Sequence, residues 1–81
     1  MNCNLEQWAL VEGSRLSGIV TGHRHFENGS KITTSRIQCR KGDAIFTRNS
    51  HYTLGVAEPA YEAMFPDAKN RLFNVVPDSA L

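Results

Sequence analysis

Between Arg15 and His51, runs of β-forming residues alternate with short turn signals. That rhythm leaves little room for anything but a sheet of short strands. Residues 6–12, with Trp8, Leu10 and Val11, read as a first strand ended by Gly13-Ser14. Residues 15–25 follow, with Ile19, Val20 and Thr21 as β-formers and Gly18 and Gly22 as bends or bulges. Asn28-Gly29 then predicts a type I′ hairpin turn, whose two central residues need positive φ. Residues 31–39 are dense in β-branched side chains and give a third strand. Arg40-Lys41-Gly42-Asp43 makes a second turn, residues 44–48 a strand, Asn49-Ser50 a third turn, and residues 51–54 the last strand. Five strands joined this way predict an antiparallel meander. Bent strongly or closed into a small SH3-like barrel, it buries one face and hides its edges.

The pattern changes after Gly55. Residues 58–65 open a helix with Pro59 early, where its missing N–H costs nothing. Pro66 ends it, and residues 67–73 add a further helical turn or two. Tyr61, Phe65, Leu72 and Phe73 are expected to cover an open side of the sheet, and residues 74–81 to be loosely held. The 81 residues make one small domain, with a sheet in 1–55 and short helices in 56–73. A chain of this size buries only roughly 60–65% of its unfolded surface. An elaborate catalytic cleft would compete with the core for residues, and a homodimer would add burial.

The net charge is only +1, yet it is unevenly spread. Arg15, Arg24, Lys31, Arg36, Arg40, Lys41 and Arg48 face only Glu27 and Asp43 within the central stretch, while both flanks are slightly acidic. A basic sheet between acidic ends suits a negative partner. There is no apolar run long enough to span a membrane and no secretory signal pattern, and Cys3 and Cys39 make no disulfide framework. A cytoplasmic protein with two reduced thiols is the expectation.

Candidate chemistry is sparse. His23-Arg24-His25 puts two imidazoles on one face of the expected strand, and Cys39 or His51 nearby would extend them toward a zinc site. The close Cys or His pairs of a structural zinc site are missing, so two rim histidines are the simpler reading. Cys39 or a serine beside His51 or His25, with Asp43 behind, has the residue types of a nucleophile and base, but no nucleophile signature surrounds them. The glycines stand singly and build no phosphate loop. No cofactor and no enzymatic role are expected. For nucleic acid, the arginines and Lys41 would hold phosphates while Tyr52, Phe46 or Trp8 stack on bases. Trp8, Phe46 and Phe73 also look like core anchors. For a protein, an exposed edge strand or the basic patch would recruit the partner.

Three segments carry a resemblance: Leu16 to His23 with Asn28-Gly29, then Ile32 to Ile37, then Thr47 to Gly55. The chain resembles small β-barrel proteins of bacterial and prophage origin. That resemblance implies a small accessory protein from a mobile element that works by binding a larger machine.

The sequence thus leads to a mainly β domain that binds without catalysis. Its contact residues are expected to be Arg24, Arg36, Arg40, Lys41 and Arg48, with His23 and His25 at the rim. A protein is the first expected partner and nucleic acid the alternative. Arg40 and Lys41, placed in a turn, are expected to be the most exposed.

Overall fold

The computed structural model describes residues 2–48 and 50–76. Its first strand, β1 (Asn2–Val11), starts four residues earlier than the composition of residues 6–12 suggests. The reason lies in Cys3 and Leu5, which alternate with polar neighbours and turn into the core, 3% and 0% exposed. At Gln7 the strand bulges. Gln7 and Trp8 together stand opposite Gly18 of β2 (Arg15–Thr21), between the pairs Glu6–Ile19 and Ala9–Ser17. One extra residue reverses the alternation, so Trp8 joins Cys3 and Leu5 in the core with none of its surface exposed. Gln7 absorbs the kink in the left-handed region, at φ 49°. Gly18 makes room for it: a Cβ there would lie 2.9 Å from the carbonyl oxygen of Glu6.

Four more strands complete one sheet: β3 (Ser30–Thr33), β4 (Cys39–Lys41), β5 (Ala44–Phe46) and β6 (His51–Leu54). Their order is β3-β2-β1-β6-β5-β4, and β1 runs parallel to β6, with Leu5 opposite Leu54. The expected five-stranded antiparallel meander is therefore corrected to a six-stranded mixed sheet. Residues 2–5, outside the strand expected from sequence, are the ones that make the parallel pairing. From both sides of the bulge, β1 keeps hold of the chain beyond β6. Gly55 N–H donates to Leu5 O at 2.9 Å, Glu58 N–H to Trp8 O at 2.8 Å, and the Trp8 indole N–H to Gly55 O at 2.9 Å.

The sheet is not closed into a barrel. The single strand expected over residues 31–39 divides into β3 and β4, which lie on opposite edges. Residues 34–38 cross between them. Thr34 N–H donates to Leu16 O, Ile37 N–H to Ser14 O and Gln38 N–H to Phe46 O. That crossing explains why Ile32 and Ile37 differ in parity: Ile32 belongs to β3 and Ile37 to the crossing segment, which buries it.

Beyond β6 the chain forms α1 (Pro59–Met64) and α2 (Ala68–Val75), and it is α2 that packs into the core. Pro59 stands in the first turn of α1, as its position in the sequence suggests. Ala68 and Leu72 of α2 enter the core with Leu5, Trp8, Leu16, Val20, Ile45 and Leu54. Tyr61 and Phe73 pack against its margin. Burying the six largest of these side chains fully is worth roughly 1.5–3 kcal/mol each. Of the tail expected to be loose from residue 74, Asn74 and Val75 are helical and Val76 is buried. Residues 77–81 and Asn49 lie outside the described residues.

Candidate binding cleft

Leaving β2, the chain turns at Gly22, φ 78°, instead of running on as strand to His25. The loop 22–29 folds back on itself. Gly22 N–H donates to the Asn28 carboxamide oxygen at 2.8 Å, and Gly29 N–H to Val20 O at 2.8 Å. Asn28 does not take positive φ; only Gly29 does, at 89°, beneath a Ser30 N–H to Glu27 O bond. The turn is therefore not type I′, and the reason is the loop's length. Eight residues have room for an Asn28 side-chain bond that a two-residue hairpin would not need.

That loop carries His23, His25 and Phe26 over β6, where they wall a cleft of about 290 Å³ with Tyr52 and Ser50. Thr33 and Ser35 line its other side, and Thr47 closes it from the end of β5. Each wall is held locally. The buried Thr34 hydroxyl accepts from Leu16 N–H at 3.1 Å and donates to Ser35 O at 2.8 Å. Thr47 donates to Ser50 O through both its N–H and its hydroxyl, at 2.9 and 3.3 Å.

The polar groups form a directed chain. His25 N–H donates to His23 Nδ1 at 3.0 Å, which leaves the proton of the neutral ring on Nε2. Nε2 then donates to Ser50 Oγ at 3.3 Å. The Ser50 hydroxyl interacts in turn with the Tyr52 hydroxyl, and both residues line the cleft. Desolvation first, and the neighbouring His25 second, hold His23 below the usual imidazole range. Burial pushes the Tyr52 phenol up, so it stays protonated. A general base needs a bare Nε2 facing the serine, whereas here that nitrogen carries the hydrogen. The arrangement donates hydrogen bonds and does not activate a nucleophile.

Aromatic rings frame the same space. The His23 ring lies 4.6 Å from Phe26, tilted, and 6.1 Å from Tyr52, nearly parallel. Phe26 is 43% exposed, unusual for a phenylalanine in a small domain.

The expected contact residues separate into groups. Arg24 sits between His23 and His25, Arg36 follows Ser35, and Arg48 follows Thr47; all three are exposed and each adjoins a cleft-lining residue. Lys41 is exposed but belongs to the β4–β5 hairpin. Arg40, expected to be exposed, is only 6% so. Its Nε donates to Val76 O at 3.0 Å, its Nη1 to Gly42 O at 2.8 Å, and its guanidinium covers Phe73 at 3.7 Å. The correction follows from position: Arg40 lies on the last strand of the sheet, facing α2, where two carbonyls need donors.

Of the expected stacking aromatics, Tyr52 lines the cleft. Trp8 is wholly buried, and Phe46 pairs with His51 at 4.5 Å on the opposite, outer face. Cys39 lies next to Phe46 in the ladder, and Asp43 is engaged by Lys69 at 3.1 Å, so neither is drawn into a triad. His23 and His25 leave β2 before they can share a strand face. Among the described residues no group of three or more His, Cys, Asp or Glu side chains could hold a metal ion. No helix among them is long and apolar enough to cross a membrane. Ser50, Thr47 and Phe26 were not visible as site residues in the sequence; an aromatic side chain within a polar loop was the one signal available for Phe26.

Comparison with protein-family models, with curated proteins and with solved structures returns no match.

Proposed function

We propose that this protein is a non-enzymatic binding domain that takes a single-stranded nucleic acid across the His23–Tyr52 cleft. One observation carries the reading: three exposed arginines, Arg24, Arg36 and Arg48, each adjoin a residue lining one cleft that also presents an exposed aromatic ring. Cations that track phosphates beside rings that stack on bases are the two parts such a surface needs. The polarity of the His23–Ser50–Tyr52 chain supports binding over catalysis. Short edges speak against recruiting a partner by strand addition, since β3 has four residues and β4 three.

A second reading, a protein partner met through the exposed face of α1, is favoured by a different observation. α1 buries none of its residues, and Met64 is 75% exposed beside acidic Glu62.

Parallel capture from lysate with and without nuclease separates the two. Nucleic-acid binding predicts that the co-purifying material is lost on nuclease treatment. It also predicts that affinity for a generic oligonucleotide falls with salt at a log–log slope of about −2, about −0.7 for each of three phosphates. A defined protein retained after nuclease, with no oligonucleotide affinity at low salt, would overturn the nucleic-acid reading.

A further inference from the structure

The cleft is more than a track for a charged backbone, and on the reading above we infer that it receives one unpaired nucleobase and reads its edge. Three features point there. Its volume, about 290 Å³, is that of a site for a single ring system with a neighbour's sugar at the mouth, not for a long segment. Its flat surfaces are Phe26 and His23; His23 already lies against Tyr52 and His25, and Phe26, 43% exposed, is the ring available to stack on a base. Its floor is neutral and rich in hydroxyls, with Ser50 and Tyr52 buried and already committed to each other.

The direction of those bonds sets what the floor can recognise. His25 N–H feeds His23, His23 feeds Ser50, and Ser50 feeds Tyr52. The chain ends on the Tyr52 O–H, for which no acceptor is seen among the described residues, and it meets a carbonyl or ring-nitrogen acceptor on the base. A buried donor rejects a ligand that cannot accept from it, because it would be left unpaired. The arginines outside the cleft supply affinity without sequence preference, whereas the floor supplies preference.

The test compares homopolymer oligonucleotides of dA, dC and dT with an abasic oligomer of equal length, by fluorescence anisotropy over a series of salt concentrations starting from low salt. The inference predicts about tenfold weaker binding of the abasic oligomer with an unchanged salt slope. Phe26→Ala, at an exposed position, should reduce binding to the base-bearing oligomers toward the abasic level. Tyr52→Phe, which keeps the ring, should shrink the differences among homopolymers. Equal affinity for abasic and base-bearing oligomers would overturn the inference and leave the nucleic-acid reading standing. Failure of every oligomer to bind at low salt would overturn both.

Discussion

Gln7 is the residue on which the fold's parity turns. A non-glycine residue at φ 49° bears a cost of roughly 1–2 kcal/mol, and the bulge it creates sends Trp8 inward. Replacing it with glycine removes that cost and adds chain entropy to the unfolded state. Gln7→Gly is therefore expected to stabilise the protein by about 0.5–1 kcal/mol in urea denaturation. Gly18→Ala acts in the other direction. Its methyl would meet the Glu6 carbonyl and the Leu5 side chain at 2.9 Å, backbone on one side and core on the other. A loss of about 1–3 kcal/mol is expected in the same measurement.

His23 is a second such residue. Its ring is held neutral in the fold, so as pH falls below the ordinary imidazole value near 6.5 the unfolded chain takes up a proton first. Stability is fully present above that value and declines as pH falls through it toward the folded value. Protonation also removes the acceptor that His25 N–H uses. His23→Gln should flatten this acid limb, read as midpoint against pH. The alkaline limb has the opposite sign. Tyr52 and Cys3 are both raised by burial, so their contribution is lost as pH climbs past their unfolded values.

At the scale of elements, most strands were legible because β-branched runs and turn residues act locally. Ala44–Phe46 and His51–Leu54 fall where the sequence places them, and Pro59 and Pro66 delimit α1 as expected. What was not legible is non-local. Nothing in Lys31 to Cys39 announces that the chain leaves one sheet edge at Thr33 and joins the other at Cys39. Nothing in Asn2 to Leu5 announces a parallel partner fifty residues away, although its period-two pattern does announce a strand. The cleft was half visible. Arg24, Arg36, Arg48 and the two histidines were candidates by charge, whereas Ser50 and Phe26 acquire meaning only when loop 22–29 reaches β6.

Arg40 shows how one element holds another. A turn residue by sequence, it is a clamp by structure, tying the end of α2 to the β4–β5 hairpin through Val76 and Gly42. Arg40→Ala leaves two carbonyls without their donors and Phe73 uncovered. A loss of roughly 1–3 kcal/mol is expected, with amide exchange in α2 rising before that in β1. Arg40→Lys should recover little of it, since one ammonium cannot reproduce the fork and the planar contact with the ring.

On the scale of the whole molecule, β1 at the centre of the sheet divides the labour. The helices close the core on the side of Trp8 and Leu72, and loop 22–29 roofs the side of Tyr52. Tyr52 belongs to both halves, as a member of the core and a wall of the cleft, so the exposed arginines are where binding changes without touching the core. Arg36→Ala and Arg48→Ala, both exposed, should each leave the denaturation midpoint within about 0.5 kcal/mol of the parent. Each should also lower the magnitude of the salt slope for oligonucleotide binding by about 0.7. Lys41→Ala should leave that slope unchanged, because its hairpin lies at the far edge of the sheet.

The most direct measurement is an NMR titration of the isotope-labelled protein with a short single-stranded oligonucleotide, followed through its backbone amides. The account predicts shifts concentrated at residues 22–26, 33–36 and 47–52 (Asn49 aside), with β4 and α1 unmoved. Perturbation centred on Met64 and α1, or on Lys31 and Lys41 across the outer sheet face, would contradict it, as would a spectrum the oligonucleotide leaves unchanged.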